Sequence, residues 1–293
     1  MAAPAEEQPV GYVPAHIDVH APGLTEPKEV AFVLHGILGS GTNWRSFVRR
    51  LVTAHPTWLF VLVDLRNHGD STGAPPPHTV AACAADLAAL AERRGLEPSL
   101  VCGHSFGGKV GLVYARDHAV DLDELWLLDA PIGVIPRGSA HPSVRQIEEV
   151  MAAVRSVPLP LPSRGVLVEA LTAKGLPRAL GQWMTTNLRL GTGGYRWRFD
   201  LDAIAEMLAD YYTVDGWSVV TSPPRHLAVH AVLGGKSDRL GADDVARLEG
   251  LSDAGAVHLH TLPDAGHWLH VDDPEGLLAL LDAALTRVSR RLH

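Results

Sequence analysis

The chain has 293 residues, 46% of them hydrophobic, and a formal net charge of −8. This length allows a large buried core, either as one α/β domain or as a core with an inserted subdomain. Charges of both signs are scattered along the chain, so the sequence offers no basic face for nucleic acid or for an anionic membrane. We expect a small neutral or apolar ligand and no nucleic-acid partner.

The two cysteines, Cys83 and Cys102, are too few for a disulfide framework and are interpreted as small buried hydrophobic residues. Residues 1–15 are rich in Pro, Ala and Glu and are expected to be a flexible N-terminal segment. The first residues do not resemble a secretory signal, and no apolar run reaches membrane-spanning length. We therefore expect a cytoplasmic protein without membrane association, acting as a monomer or homodimer.

From residue 16 onward, short apolar runs alternate with helix-like stretches. The runs that predict strands are 30–34, 58–63, 100–102, 125–128 and 227–233, and the segment 257–262, in which apolar and polar residues alternate, predicts a further strand. The stretches that predict helices are 44–54, 80–94, 109–118, 243–251 and 274–288. Continuous apolar strands separated by helices are typical of a parallel sheet covered on both faces. The pattern predicts a doubly wound, mostly parallel α/β fold whose core comprises residues 16–135 and 225–293.

Between residues 136 and 224 the alternation stops and predicted helices follow one another at 144–154, 164–173, 177–190 and 200–212, interrupted by Pro and Gly. We interpret this region as an inserted helical cap. Seven of the 17 aromatic residues fall in it, and such rings can line an apolar pocket. Trp183 in the cap and Trp268 in the second core part are predicted to contact substrate; the alternative is that aromatic rings only bury the cap against the core.

The run Gly-His-Ser-Phe-Gly at 103–107 follows a predicted strand and precedes a predicted helix. A serine in such a Gly-x-Ser-x-Gly corner has a strained backbone that exposes its hydroxyl, and the flanking glycines avoid collisions. Ser105 is therefore predicted to be a nucleophile.

A serine hydroxyl needs a base to take its proton and an acid to orient that base. His267 follows the last predicted strand, as the chain order of nucleophile, acid and histidine requires. Two acids compete. Asp238 follows the strand at 227–233, the usual place for a hydrolase acid, and is slightly preferred. Asp129 is the only charge at the end of an apolar strand, so its burial needs a partner.

Negative charge on the attacked carbonyl oxygen must be met by preplaced donors. One candidate is the backbone N–H of Ile37 or Leu38, in the loop after the strand at 30–34. The other is the N–H of Phe106, at a helix start beside the predicted nucleophile. The polar loop at 64–71 is interpreted as structural, with contact of Asn67 or His68 with substrate as the alternative.

The 16 histidines raise the question of a metal. His258 and His260 alternate on one predicted strand, and His267 and His270 are three residues apart, but no cysteine or carboxylate cluster completes a site. The sequence also lacks a dinucleotide fingerprint and a phosphate-binding Gly-x-x-x-x-Gly-Lys-Ser/Thr loop. We expect neither a metal nor a cofactor.

Four motifs together resemble the α/β-hydrolase superfamily, in particular small bacterial esterases and the related mitochondrial abhydrolase-domain proteins. The motifs are His35-Gly36, the Asp-x-Arg-Asn-His-Gly-x-Ser run at 64–71, the Gly-His-Ser-x-Gly-Gly-Lys run at 103–109 and the Gly-His-Trp-x-His run at 266–270. The resemblance implies activity on short to medium acyl esters or thioesters. It also implies that the acid is Asp129, but Asp238 is present too, so the choice stays open.

These residues predict a serine hydrolase that cleaves esters or thioesters of small to medium apolar acyl groups through an acyl-enzyme. Two alternatives remain. One is a ligand receptor that keeps the hydrolase fold but has negligible turnover. The other is an acyltransferase or perhydrolase that uses the same residues.

Overall fold

The computed structural model describes residues 12–118, 121–136 and 142–291. Most of the predicted flexible segment at 1–15 lies outside these residues, as do residues 137–141 of the predicted cap. The described strands are β1 (His16–Val19), β2 (Glu29–Leu34), β3 (Trp58–Val63), β4 (Pro98–His104), β5 (Glu124–Leu128), β6 (Leu188–Gly191), β7 (Gly194–Trp197), β8 (Ala228–Gly234) and β9 (His258–Leu262).

Seven of these strands form one sheet in the order β1-β3-β2-β4-β5-β8-β9. β1 pairs antiparallel with β3, and the other pairs in this sheet are parallel. The mostly parallel sheet predicted from the sequence is confirmed. Because β2, β4 and β5 are adjacent and parallel, the loops after them meet at one edge, where open α/β sheets collect their ligand sites.

The described helices are α1 (Arg45–Ala54), α2 (Val80–Arg94), α3 (Phe106–Asp117), α4 (Pro142–Arg155), α5 (Arg164–Thr172), α6 (Arg178–Met184), α7 (Leu201–Tyr211), α8 (Trp217–Thr221), α9 (Ala242–Asp253), α10 (Leu269–Asp272) and α11 (Pro274–Arg291). None of them is both long enough and apolar enough to cross a membrane.

Both faces of the sheet are buried under helices, which explains why its central strands are apolar at most positions instead of alternating between apolar and polar residues. Alternate residues of β2 enter two separate hydrophobic clusters. Phe32 packs on the side of α2 and α3, whereas Ala31 and Val33 pack on the side of α1 and α11. The two cysteines are buried and unbridged, Cys83 in the first cluster and Cys102 in the second.

Between β5 and β8 the described chain forms α4 to α8 and the hairpin β6–β7; we call residues 142–221 the inserted segment. It has a hydrophobic cluster of its own, which includes Val154, Leu167, Met184 and Ile204. The helix predicted over 177–190 is wrong beyond Met184. A 3-10 turn and β6 follow there, because the glycines after Leu190 allow a tight hairpin turn with φ of +82° at Gly193 and +133° at Gly194.

Candidate active site

Ser105 occupies the corner between β4 and α3, with φ of 52° and ψ of −115°. Its N–H donates to the carbonyl of Leu128 at 3.0 Å, which ties the corner to the end of β5. A Cβ on Gly107 would lie 2.6 Å from the carbonyl oxygen of His35, and a Cβ on Gly103 would collide with the backbone of Gly107. The sequence therefore needs glycine on both sides of Ser105 for this corner to form.

His267 lies in the loop between β9 and α10, and its Nδ1 donates to Oδ2 of Asp129 at 2.7 Å. Asp129 directly follows β5 and has a positive φ of 47°. Its buried carboxylate also accepts from the Ser237 hydroxyl at 2.5 Å and from the Gly234 N–H at 3.2 Å. Three donors, one at the end of β8 and two in the loops after β8 and β9, thus hold this carboxylate in one orientation.

Asp238, the slightly preferred acid, does not make this contact. Its side chain is 60% exposed, and its carboxylate lies 3.9 Å from the guanidinium of Arg239. In the loop after β8 it is Ser237, the residue before it, that turns inward and reaches Asp129. The structure corrects the preference for Asp238, because the carboxylate paired with His267 is the one at the end of β5.

Burial lowers the pKa of His267 below its ordinary value, and the nearby charge of Arg239 lowers it further, whereas the Asp238 carboxylate opposes the shift. Burial raises the pKa of Asp129, and the hydrogen bonds from Ser237 and Gly234 oppose that change. The imidazole is therefore neutral near pH 7. With its Nδ1–H donated to Asp129, its lone pair is on Nε2, the nitrogen that can accept a proton.

A second histidine, His104, contacts the loop that carries His267. Nε2 of His104 donates to the backbone carbonyl of His267 at 2.8 Å, and the two ring centroids are 4.6 Å apart. Burial lowers the pKa of His104 to about 3, so its ring is neutral near pH 7, and the bond to a carbonyl places its proton on Nε2. Neither His104 nor Ser237 was predicted from the sequence to belong to the site. The signal for His104 was a polar residue at the end of a buried strand.

Ser105 and His267 line one cavity of about 550 Å³ between the core and the inserted segment. This volume is within the range of about 300–1,000 Å³ typical of small-molecule sites. The predicted substrate contacts Trp183 and Trp268 both line the cavity, with ring centroids 6.0 Å apart. No hydrogen bond joins the Ser105 hydroxyl to the His267 ring, both of which the structure describes. Such bonds are often long before substrate binds.

The predicted oxyanion donors differ in their hydrogen bonding. The Leu38 N–H donates to Nε2 of His68 at 3.1 Å, so it is already engaged. The N–H groups of Ile37 and Phe106 have no acceptor among the described residues, and both residues line the cavity. Of the two candidates in the first loop, the structure leaves Ile37 available and excludes Leu38 in its observed conformation.

The described residues include no group of three or more His, Cys, Asp or Glu side chains that could hold a metal ion. His258 and His260 on β9 pack instead against His230, with ring centroids 4.5 and 5.3 Å apart. His270 stacks on Trp44 at 4.1 Å.

Comparisons with known proteins agree with this architecture. A sequence model of the alpha/beta hydrolase family matches residues 31–280. The sn-1-specific diacylglycerol lipase ABHD11 of Mus musculus is 30% identical over 251 residues, which cover 84% of this chain and 77% of that protein. Esterase YbfF of Escherichia coli (strain K12) is 25% identical over 252 residues, or 84% of this chain and 89% of that one. Among solved structures, a marine microorganism esterase has a TM-score of 0.76 at 24% identity and covers 92% of this chain and 98% of its own. The chain therefore belongs to the alpha/beta hydrolase family.

Proposed function

We propose that the protein is a serine hydrolase that cleaves carboxylic esters or thioesters of small to medium apolar acyl groups through an acyl-enzyme. The observation that carries the proposal is the hydrogen bond between buried Asp129 and His267, whose half-buried ring lines the same cavity as the strained Ser105 corner. Similarity to proteins named as a diacylglycerol lipase and an esterase supports ester hydrolysis as the reaction.

In the proposed reaction the Ser105 hydroxyl attacks the acyl carbon while Nε2 of His267 takes its proton. Asp129 stabilises the resulting imidazolium through the bond at Nδ1. The tetrahedral oxyanion accepts hydrogen bonds from the N–H groups of Ile37 and Phe106. Collapse of this intermediate breaks the ester bond, and His267 returns the proton to the departing alcohol or thiol. Water then repeats the sequence and releases the acid, without a metal or cofactor.

The shape and lining of the cavity support the apolar acyl group. Trp183, Leu180 and Leu208 of the inserted segment line the cavity together with Trp268 and Phe106 of the core. A cavity of about 550 Å³ accommodates a small or medium acyl chain together with part of its leaving group. We propose that the inserted segment acts as a cap over this cavity.

The test is Ser105→Ala, assayed for hydrolysis of p-nitrophenyl butyrate and for labelling by a fluorophosphonate probe. Loss of the nucleophile should reduce kcat by at least about 10³-fold and abolish labelling. Ser218→Ala is the matched control, because Ser218 is exposed on α8 and lies outside the cavity. Undiminished turnover in Ser105→Ala would reject the proposal.

The same assays separate the alternatives. A receptor with negligible turnover would leave the wild-type protein unlabelled by the probe. An acyltransferase or perhydrolase would divert most of the acyl group to an added alcohol or to peroxide, which product analysis would detect.

A further inference from the structure

Two adjacent loops at the carboxyl edge of the sheet exchange hydrogen bonds through a pair of histidines. We call residues 35–41, after β2, the oxyanion loop, and residues 64–71, after β3, the polar loop. Nε2 of His35 accepts the N–H of Leu65 at 3.0 Å, and Nε2 of His68 accepts the N–H of Leu38 at 3.1 Å. Each loop thus supplies a ring that accepts from the backbone of the other.

The second nitrogen of each ring fixes its tautomer. Nδ1 of His35 donates to the carbonyl of Gly36 at 2.7 Å, and Nδ1 of His68 donates to the carbonyl of Arg66 at 2.9 Å. Both rings must therefore be neutral with the proton on Nδ1. Burial lowers the pKa of His35 to about 4 and that of His68 to about 3. Near neutral pH both histidines therefore keep the hydrogen bonds that join the two loops. Neither of them needs to transfer a proton.

A third side chain comes from the inserted segment. Asn187, buried in the turn before β6, donates from Nδ2 to the carbonyl of Leu38 at 2.6 Å. The backbone of Leu38 is therefore held at its N–H by His68 and at its carbonyl by Asn187. This residue has a φ of 60°, a conformation that leucine rarely adopts without such restraint.

Together these contacts fix three consecutive peptide groups. The carbonyl of Gly36 accepts from His35 and from the N–H of Gly39 at 3.0 Å. Because a trans peptide is planar with its N–H opposite its carbonyl, fixing this carbonyl also fixes the direction of the Ile37 N–H. His68 and Asn187 hold the next two peptide groups, so the turn cannot rotate to point that N–H elsewhere.

The inserted segment is itself anchored to the polar loop. Arg198 forms an ion pair with Asp70 at 2.8 Å, and the N–H of Asp200 donates to the carbonyl of Asn67 at 3.1 Å. Arg198 also donates its N–H to the carbonyl of Asn187 at 2.8 Å. These bonds place the Asn187 side chain against the oxyanion loop.

We propose that His35, His68 and Asn187 are positioning residues that orient the Ile37 N–H toward the developing oxyanion, so that the inserted segment takes part in the chemical step as well as enclosing substrate. This inference rests on the proposed serine hydrolase function. It also gives the polar loop a role: it orients the oxyanion loop and need not touch substrate.

The test compares variants that remove a contact with variants that keep it. Asn187→Leu removes the donor at similar volume, and His68→Leu removes the acceptor. His68→Gln keeps an acceptor near the position of Nε2. Arg189→Gln is the control, because Arg189 is exposed two residues beyond Asn187.

The readouts are kcat and KM for p-nitrophenyl butyrate and the Ki of a trifluoromethyl ketone with the same acyl chain, which forms a tetrahedral adduct with serine. Misplacing one donor should lower kcat roughly 10- to 100-fold, less than the roughly 10²- to 10³-fold of its outright removal. KM should change little, the ketone Ki should rise by the factor that kcat/KM falls, and His68→Gln should recover most of the loss. Arg189→Gln should match the wild type.

Unchanged kcat in Asn187→Leu would overturn the inference, as would a rise in KM alone or a loss of kcat without any change in the ketone Ki. If His68→Leu does not fold, Asn187→Leu and His68→Gln decide the question. A wild-type protein whose turnover does not depend on Ser105 would overturn the proposed function, and the positioning role with it. That result is distinct from Ser105-dependent turnover that Asn187→Leu leaves unchanged.

Discussion

Replacing Asp129 by asparagine is expected to reduce kcat by about 10⁴-fold, which corresponds to about 5.5 kcal/mol of lost transition-state stabilisation. Asparagine tolerates a positive φ such as the 47° at this position, so the backbone should keep its conformation. Its amide oxygen can replace the carboxylate oxygen that accepts from Gly234. The amide NH₂ would then stand where Oδ2 accepts from His267 and Ser237.

The large effect follows from the tautomer of the histidine. An amide donor at that place forces Nδ1 of His267 to become an acceptor, which moves the ring proton to Nε2. That nitrogen can then no longer take the proton of Ser105. Asp238→Asn is the comparison, because its exposed carboxylate acts on His267 only as a nearby charge. Its loss should change kcat by no more than about threefold.

Steady-state hydrolysis of p-nitrophenyl butyrate near neutral pH measures both variants, with denaturant unfolding as a check on stability. A larger loss in Asp238→Asn than in Asp129→Asn would refute the assignment. If both losses are mild, neither carboxylate orients the histidine.

Four further outcomes are expected. Burial lowers the pKa of His267, so its neutral form persists at acid pH. The acid limb of kcat/KM plotted against pH should therefore have its midpoint below pH 6.5, the ordinary pKa of histidine. A midpoint above pH 6.5 would contradict a buried neutral base. Lys109→Met should lower the free energy of unfolding in urea by roughly 2–4 kcal/mol, because Nζ donates to two buried backbone carbonyls, at 2.8 and 2.9 Å, that would lose their donor. Trp183→Ala should shift the kcat/KM optimum toward longer p-nitrophenyl esters by enlarging the cavity, and an unchanged chain-length profile would show that this ring does not contact the acyl group. Gly107→Ala should abolish fluorophosphonate labelling of Ser105 or prevent soluble expression, because the added Cβ meets backbone at 2.6 Å; normal labelling would show that the corner is looser than described.

The core of the fold was accessible from the sequence because its signals are local. Continuous apolar runs predicted the strands of the parallel sheet, and the glycines around Ser105 predicted its corner between strand and helix. β1 was missed because it is an edge strand of four residues, half-buried over most of its length. The hairpin β6–β7 was missed because it depends on a tight turn at Gly193 and Gly194, which the helical pattern over 177–190 does not show.

The partners within the site were less accessible, because they depend on contacts far apart in the chain. Asp129 and His267 are 138 residues apart in sequence. Both candidate acids follow strands whose carboxyl ends lie at the same edge of the sheet, so position alone does not choose between them. The backbone of each loop decides which side chain points into the site. Asp129 has a positive φ, and in the loop after β8 it is Ser237 that turns inward. The Asn187 side chain donates to the carbonyl of Leu38, which is 149 residues away in the sequence, and no spacing in the sequence indicates that contact.

The positive φ values at Leu38, Asn67, Ser105 and Asp129 follow the ends of β2, β3, β4 and β5, four neighbouring strands. Backbone conformations of this kind cost roughly 1–3 kcal/mol each and persist only where surrounding structure enforces them. Anyone grafting this set of side chains onto a new scaffold would have to reproduce four unfavourable loop geometries as well as the functional groups. A scaffold with relaxed loops would carry the same residues aimed in the wrong directions.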